Sequence, residues 1–463
     1  MSENYRTETD SLGEMQVPEQ ALYGAQTARA VENFPVSGMP MPRPFLDALA
    51  EIKRQAALIN HELELLPGHI ADAIVKAADD VLAGEHDEQF PVDIFQTGSG
   101  TSSNMNMNEV LARLATQLGK GEFKVHPNDH VNLGQSSNDV IPTAIHLAVA
   151  SQHGQRLQPA LAKMERQLDC KAKEFDHILK IGRTHLQDAT PVRLGQVFGG
   201  YARQVSLAEQ RLNLAVAGLN ELPLGGTAVG TGLNTHPEFA ERVIQGLTCR
   251  TGLPLREAEN HFEAQAARDA LVNVSGTLKS TAVTLAKIAN DIRFLGSGPR
   301  CGLGELRLPP VQPGSSIMPG KVNPVMAESL LQVCAQVVGC DAAVTLAGLG
   351  GNFELNVMMP VMAHNLLFAT DLLCNAVTLF TERCLAGIEA EEEHCRAQLE
   401  QSLAMVTVLA PVLGYDRAAA LAKRAYESGR TIREVCLEET DLGKEELDRL
   451  LDPRPMTEPG LHS

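Results

Sequence analysis

Residues 262–295 read FEAQAARDALVNVSGTLKSTAVTLAKIANDIRFL. The apolar positions Phe262, Ala266, Ala270, Val274, Leu278, Ala282, Leu285, Ile288, Ile292 and Leu295 recur at a mean step of about 3.7 residues, the period of an α-helix and not the alternation of a strand. No proline interrupts the pattern before Pro299. It therefore predicts one helix of roughly 50 Å, at about 1.5 Å per residue.

Four further segments have the same texture: residues 139–178, 191–222, 324–349 and 361–388. Rods that are apolar around most of their circumference cannot be solvated singly and must pack side by side. Faces apolar on all sides also predict burial by other copies of the chain, hence a homo-oligomer. The expected fold class is mainly α, with a long central helical bundle. Residues 1–136 form an N-terminal, mostly helical domain punctuated by Pro18, Pro35, Pro40, Pro42, Pro44 and Pro67, with a helical stretch at 45–60. Residues 137–392 form the central bundle and oligomer core. Residues 393–463 form a small C-terminal helical domain, entered after the acidic cluster Glu389, Glu391, Glu392 and Glu393. Strand signals are sparse, and the main non-helical pieces are 90–97 and 224–233. Neither has the strand-then-helix context of a dinucleotide fingerprint.

Composition agrees. The chain has 463 residues, 44% hydrophobic and 21% charged, so it can bury a large core and is not expected to be disordered. Aromatics are 4% with no Trp, leaving the core to Ala, Leu, Val and Met, which favour helices. A formal charge of −18 and the lack of any Lys/Arg run exclude a nucleic-acid partner. The nine cysteines are odd in number and scattered, with no CxxC pair, and read as reduced core residues of a cytoplasmic protein. The N-terminal MSENYRTETDSLGEM is polar and acidic, unlike a signal sequence, and no apolar run is read as long enough to span a membrane.

The connectors between rods are dense in Ser, Thr, Asn and His. They are residues 97–104, 126–129 running on to 135–139, 182–188, and 314–324, each expected as a loop ahead of a helix. Such loops suit ordinary N-capping. They also suit anion binding, because helix N-termini present unpaired N–H groups and a partial positive charge. Lys321, two residues before the apparent cap Asn323, would supply a formal charge locally against the global −18. Ser315 and Ser316 sit between Gly314 and Gly320, either as flexible linker or as reactive hydroxyls. The GSSIM context lacks the elbow of an esterase nucleophile, and a serine base would need its alkoxide stabilised by loop N–H groups and Lys321. His185 lies in a polar loop; Glu328 could orient a histidine or be a solvated helix residue. His126, with Asn128 and Asp129, is a second polar site or a turn.

The loop GSSIMPGKVNP at 314–324 resembles the signature of the fumarase/aspartase superfamily. The resemblance to class II fumarate hydratases extends through TGSGTSSNMNMNEV at 97–110, HPNDHVN at 126–132, QSSNDVIPTAIH at 135–146 and GRTHLQDATP at 182–191. It continues through GGTAVGTGLNTHPEF at 225–239, KIANDIRFLGSGPR at 287–300 and GNFELNV at 351–357, with ALYGAQTARAVENFP at 21–35 similar too. Aspartases look like PAKVNP, QSTND and GRTQLQDA, where this chain has Gly320, Ser137 and His185.

The resemblance implies reversible hydration of fumarate to L-malate in a homotetramer whose central helices form a twenty-helix core and whose active sites each draw on three subunits. It makes Ser315 the base that takes the C3 proton of malate, with His185, partnered by Glu328, assisting the water. It assigns the dicarboxylate to Ser99, Gly100, Thr101, Ser136, Ser137, Asn138, Thr184, Ser316, Lys321, Val322 and Asn323. His126, Pro127, Asn128 and Asp129 would form a secondary anion site. No metal or organic cofactor is implied, and the cysteine cluster of an iron–sulfur fumarase is missing. The chemistry fits these residue types. Removing a proton beside a carboxylate leaves an aci-carboxylate dianion, which needs cationic and neutral donors where the charge develops. One departure is Leu133-Gly134, where the family usually has a lysine-containing pair. The remaining alternatives are an aspartate ammonia-lyase-like activity and a catalytically silent structural homologue.

Overall fold

In the computed structural model, which describes residues 4–460, the periodic segments are helical almost throughout, and the mainly α expectation holds. In chain order the principal elements begin with β1 (Tyr5–Asp10), β2 (Gly13–Pro18), α1 (Ala25–Asn33), α2 (Arg43–Glu62), α3 (Gly68–Leu82) and α4 (Thr101–Leu118). They continue with α5 (Ser137–Gln152), α6 (Gln158–Glu174), β3 (Leu179–Thr184), β4 (Gln187–Arg193), α7 (Leu194–Ala217), α8 (Phe239–Thr251) and α9 (His261–Ala266). The last are α10 (Asp269–Leu295), α11 (Val325–Gly348), α12 (Met359–Arg383), α13 (Glu392–Gln401), α14 (Ala410–Leu413), α15 (Tyr415–Ser428), α16 (Ile432–Glu439) and α17 (Lys444–Leu450). The chain divides into two compact units, and the division falls within or beside long helices.

The first unit comprises Met1–Pro159, Ala208–Ala282 and Val333–Cys374. Its N-terminal hairpin pairs β1 with β2 antiparallel from Tyr5↔Pro18 to Asp10↔Gly13. Helix α2 buries Leu46, Leu49, Ile52, Ala56 and Ile59 between α3 and α5. Each such Leu or Ile contributes roughly 1.5–3 kcal/mol of burial free energy. Ser275 Oγ donates to Asp341 Oδ1 at 2.8 Å, and Lys279 Nζ lies 2.5 Å from Asp341 Oδ2, tying α10 to α11.

The second unit comprises Ala160–Leu207, Val283–Gln332 and Asn375–Ser463. Here Tyr201 donates to Asp291, joining α7 to α10, and Lys163 pairs with Glu382, joining α6 to α12. The C-terminal helices close a core of Leu399, Met405, Leu409, Leu421, Ala425, Ile432, Val435, Cys436, Leu447 and Leu451. Thr431 and Glu434 cap α16 reciprocally, satisfying two otherwise unpaired N–H groups.

Four expectations are corrected. The helix over 262–295 is two helices, because Ala267 is extended (φ −83°, ψ 151°). Asn260 Oδ1 accepts from Phe262 and Glu263 N–H to start α9, and Arg268 reaches back to the Ala264 carbonyl at its end. Helix α10 is 27 residues long, about 40 Å and not 50 Å. Residues 182–188 are not a loop ahead of a helix but the turn and flanks of an antiparallel hairpin, β3–β4. Asn323 does not cap α11: its Nδ2 donates to the Gly314 carbonyl and staples the two ends of the loop together. Finally, Val325–Gly348 and Met359–Gly387 are long and apolar enough, by length and composition, to cross a membrane. The acidic residues of the first stretch are Glu328 and Asp341, and Asp341 is buried in its bonds to Ser275 and Lys279.

Candidate active site

In the first unit, three hydroxyls form a chain across two helix N-termini. Ser99 Oγ lies 2.8 Å from Thr101 Oγ1, which lies 2.7 Å from Ser137 Oγ. Gly100, at the N-cap of α4, has φ +73°, a left-handed conformation that costs glycine nothing. A Cβ there would also stand 2.9 Å from the Ile141 side chain, so the turn is both bent and tight. Helix α5 opens with a capping box: Ser136 Oγ accepts from Asn138 N–H at 3.2 Å, and Asp139 Oδ1 accepts from Ser136 N–H at 3.0 Å. Asn138 Nδ2 donates to the Ala228 carbonyl at 2.8 Å.

Asp139 anchors this cluster. Its Oδ2 accepts from Gly225 N–H at 3.0 Å and Thr227 N–H at 2.9 Å, drawing the Gly-rich segment 225–232 against the start of α5. Burial pushes its carboxyl up to about 6, opposed by those N–H bonds and by the charge of Lys53.

In the second unit, the loop 314–324 surrounds a cavity of about 460 Å³ lined by Gly314, Ser315, Met318, Pro319, Gly320, Lys321 and Val322 among others. Ser315 is half-buried, and its Oγ accepts from the N–H groups of Ile317 (3.3 Å) and Met318 (3.1 Å). Ser316 and Lys321 are exposed, as is Val322. The positive φ of Gly320 (+83°) lets the loop double back so that Asn323 reaches Gly314.

His185 stands at the tip of the β3–β4 hairpin. It and Leu186 both have positive φ (+55° and +61°), the requirement of a two-residue type I′ turn, here met without glycine by a histidine and by a leucine that does not favour it. Such strain, of order 1 kcal/mol per residue, concentrates at functional sites. The hairpin is held at its base by ion pairs from Lys180 (3.1 Å) and Arg183 (2.7 Å) to the fully buried Glu305 carboxylate. Thr184 and His185 are exposed and Glu328 half-buried. Among the described residues no hydrogen bond or ion pair joins the His185 and Glu328 side chains within one chain, and the Glu328 N–H donates to the Pro324 carbonyl at 3.1 Å.

His126, Pro127 and Asn128 line a separate cavity of about 790 Å³, whose walls include Arg113 and Lys124 but also Glu8, Asp10 and Glu109. Asp129 does not line it. His126 Nδ1 accepts from Asp129 N–H at 3.1 Å, starting the π-helical turn Pro127–Val131.

Sequence reading did not single out Lys53 or Glu305, and it took Asp139 only as the end of the polar run 135–139; all three hold these segments from beneath. Nothing in the sequence marks Lys53 out, since Phe45–Asn60 also carries Asp47, Glu51 and Arg54.

The hydroxyl cluster at two helix N-termini belongs to the first unit, and the serine cradled by amide N–H groups to the second. A family model described as lyase matches residues 13–339, and one described as fumarase C C-terminus matches 405–458. The chain is 56% identical to fumarate hydratase class II of Halobacterium salinarum over 100% of its own length and 99% of the relative's. It is 52% identical to that of Nitrosomonas europaea, over 98% and 100%. The crystal structure of class II fumarase from Schistosoma mansoni superposes with a TM-score of 0.95 at 41% identity, covering 98% of this chain and 99% of that one. A Brucella melitensis structure described as fumarate lyase:delta crystallin gives 0.94 at 48% identity, covering 98% and 100%. The chain belongs to the class II fumarate hydratase family.

Proposed function

We propose that the chain catalyses the reversible anti addition of water to fumarate to give L-malate, the hydration step of the tricarboxylic acid cycle, in the cytoplasm. The observation that carries this reading is the pair of N–H groups, from Ile317 and Met318, donating to Ser315 Oγ. A serine acts as a base only as its alkoxide, and preorganised donors stabilise that anion without reorganisation; each is worth roughly 3 kcal/mol. In the malate-to-fumarate direction, Ser315 takes the C3 proton, and the C3–H electrons move into the adjacent carboxylate as an aci-carboxylate dianion. The C2–O bond then breaks and hydroxide leaves as water, with His185, oriented by Glu328, handling the proton.

The substrate is a small dicarboxylate. Ser99, Gly100, Thr101, Ser136, Ser137 and Asn138 would receive one carboxylate, and Thr184, Ser316, Lys321, Val322 and Asn323 the other. The assembly is a homotetramer in which three subunits complete each site and the long helices form a twenty-helix core. Exposed apolar residues along them, including Val283 (60%), Val338 (42%) and Leu346 (67%), support that burial between copies. The reading requires no metal or organic cofactor, because Lys321 and neutral donors supply the charge stabilisation. His126, Pro127, Asn128 and Asp129 would form a secondary anion site.

Loss of fumarate absorbance in buffer containing a chelator, with stoichiometric malate, tests the reading. Consumption that depends on ammonia and yields no malate would replace it with an ammonia-lyase. No consumption at all would leave a catalytically silent structural homologue.

A further inference from the structure

Lys53, in the middle of α2, is 0% exposed, and its ammonium is surrounded by neutral amides. Nζ donates to Asn132 Oδ1 at 2.8 Å and to Gln135 Oε1 at 2.9 Å. Asn132 Oδ1 also accepts from Asn104 and Asn108 of α4, both at 3.2 Å. Asn132 Nδ2 donates to the Gln135 carbonyl, and Gln135 Nε2 to the Val131 and Leu133 carbonyls. Every one of these bonds closes on the turn leading to Ser136, Ser137 and Asn138, or on the helix whose first residue, Thr101, touches Ser137.

The turn itself, NLGQSSN at 132–138, contains no cationic side chain. A buried charge without a bonded carboxylate is costly to keep, and removing it leaves Gln135 Oε1 without its donor and Asn132 Oδ1 with only the Asn104 and Asn108 amides. Burial pushes the ammonium down to about 7, and the only charge acting against this is Asp139, at the start of the same α5.

We infer that Lys53 is the positioning residue of the carboxylate-binding turn: from beneath, through Asn132 and Gln135, it fixes the hydroxyls of Thr101 and Ser137. The inference rests on the reading that this cluster receives one substrate carboxylate. Since it concerns binding and not proton transfer, it separates affinity from turnover.

The test uses the assembled full-length protein with Lys53→Met. KM for fumarate should rise at least about tenfold while kcat stays within about threefold, the pattern of lost uniform binding. The dissociation constant for succinate, a dicarboxylate that cannot react, should rise in parallel by calorimetry. Unchanged KM and succinate affinity in a folded variant overturn the inference, as does a kcat loss at constant KM. Should Lys53→Met fail to assemble, Gln135→Leu removes one acceptor and leaves the amine; it should raise KM in the same sense, and an unchanged KM there is equally fatal. If the wild type does not hydrate fumarate, succinate binding still decides. Weakened binding in Lys53→Met keeps the inference while sinking the proposed activity.

Discussion

Met318 donates its backbone N–H to Ser315 Oγ at 3.1 Å, three residues back along a loop whose two ends Asn323 ties together. A hydroxyl with two amide donors already in place is prepared to carry negative charge. Ser315→Ala should therefore lower kcat by at least about a hundredfold, the scale of a general acid–base group, with unchanged assembly by light scattering. Wild-type turnover in that variant would remove Ser315 from the chemistry.

His185→Asn is a cleaner probe than alanine, because asparagine tolerates the left-handed backbone that His185 adopts and so keeps the hairpin. A loss in kcat of at least about a hundredfold is expected, with the melting temperature unmoved. If activity persists, water activation belongs to another group.

The cavity at His126 is walled by acidic as well as basic residues and lies in the first unit, in which Ser315 and His185 have no part. His126→Asn should leave kcat for fumarate within about threefold of wild type. A collapse of turnover would transfer His126 to the reaction itself.

Lys53 and Asp139 give stability a defined pH dependence. Folded Lys53 titrates near 7 but the unfolded side chain near about 10.4, so between these values the unfolded chain holds more protons and the fold gains stability as pH rises. Folded Asp139 titrates near 6 against about 3.9 unfolded, so across that lower window the fold loses stability as pH rises. The difference in unfolding free energy between wild type and Lys53→Met should accordingly grow in favour of wild type from pH 7 to 10, by at most about 1.4 kcal/mol per pH unit. A flat difference over that range would show that the ammonium is not desolvated.

Gly98 is a packing constraint. A Cβ there would lie 1.7 Å from the Val357 carbonyl oxygen, where Gly98 O accepts from Met359 N–H at 3.0 Å. Gly98→Ala should cost about 1–3 kcal/mol, read as a lowered denaturation midpoint, through displacement of the segment that starts α12. An unchanged midpoint would mean that this segment shifts freely.

The sequence made the long helices legible because apolar spacing is a local property, and the polar words of 97–104, 135–139 and 314–324 stood out because charge-poor hydroxyl clusters are rare. The break at Ala267 was not legible: alanine favours helix, and what stops α9 is the Arg268 side chain folding back on Ala264. The hairpin under His185 was missed because its turn residues, His185 and Leu186, carry none of the glycine or asparagine signature of a type I′ turn. The β1–β2 hairpin was missed because its strands are mostly polar. Lys53 was visible as a letter, but its depth and its two amide partners follow only from the packing of α2 against α5 and the turn before it.

Helix α11 runs for 24 residues with few charges, and Val338 and Leu346 remain uncovered in a single copy. If the proposed assembly covers this face, a solitary protomer leaves apolar surface in water and is disfavoured. Subunit exchange on mixing tagged and untagged protein should be slow at micromolar concentration, and extreme dilution should extinguish catalysis with a steep dependence on protein concentration.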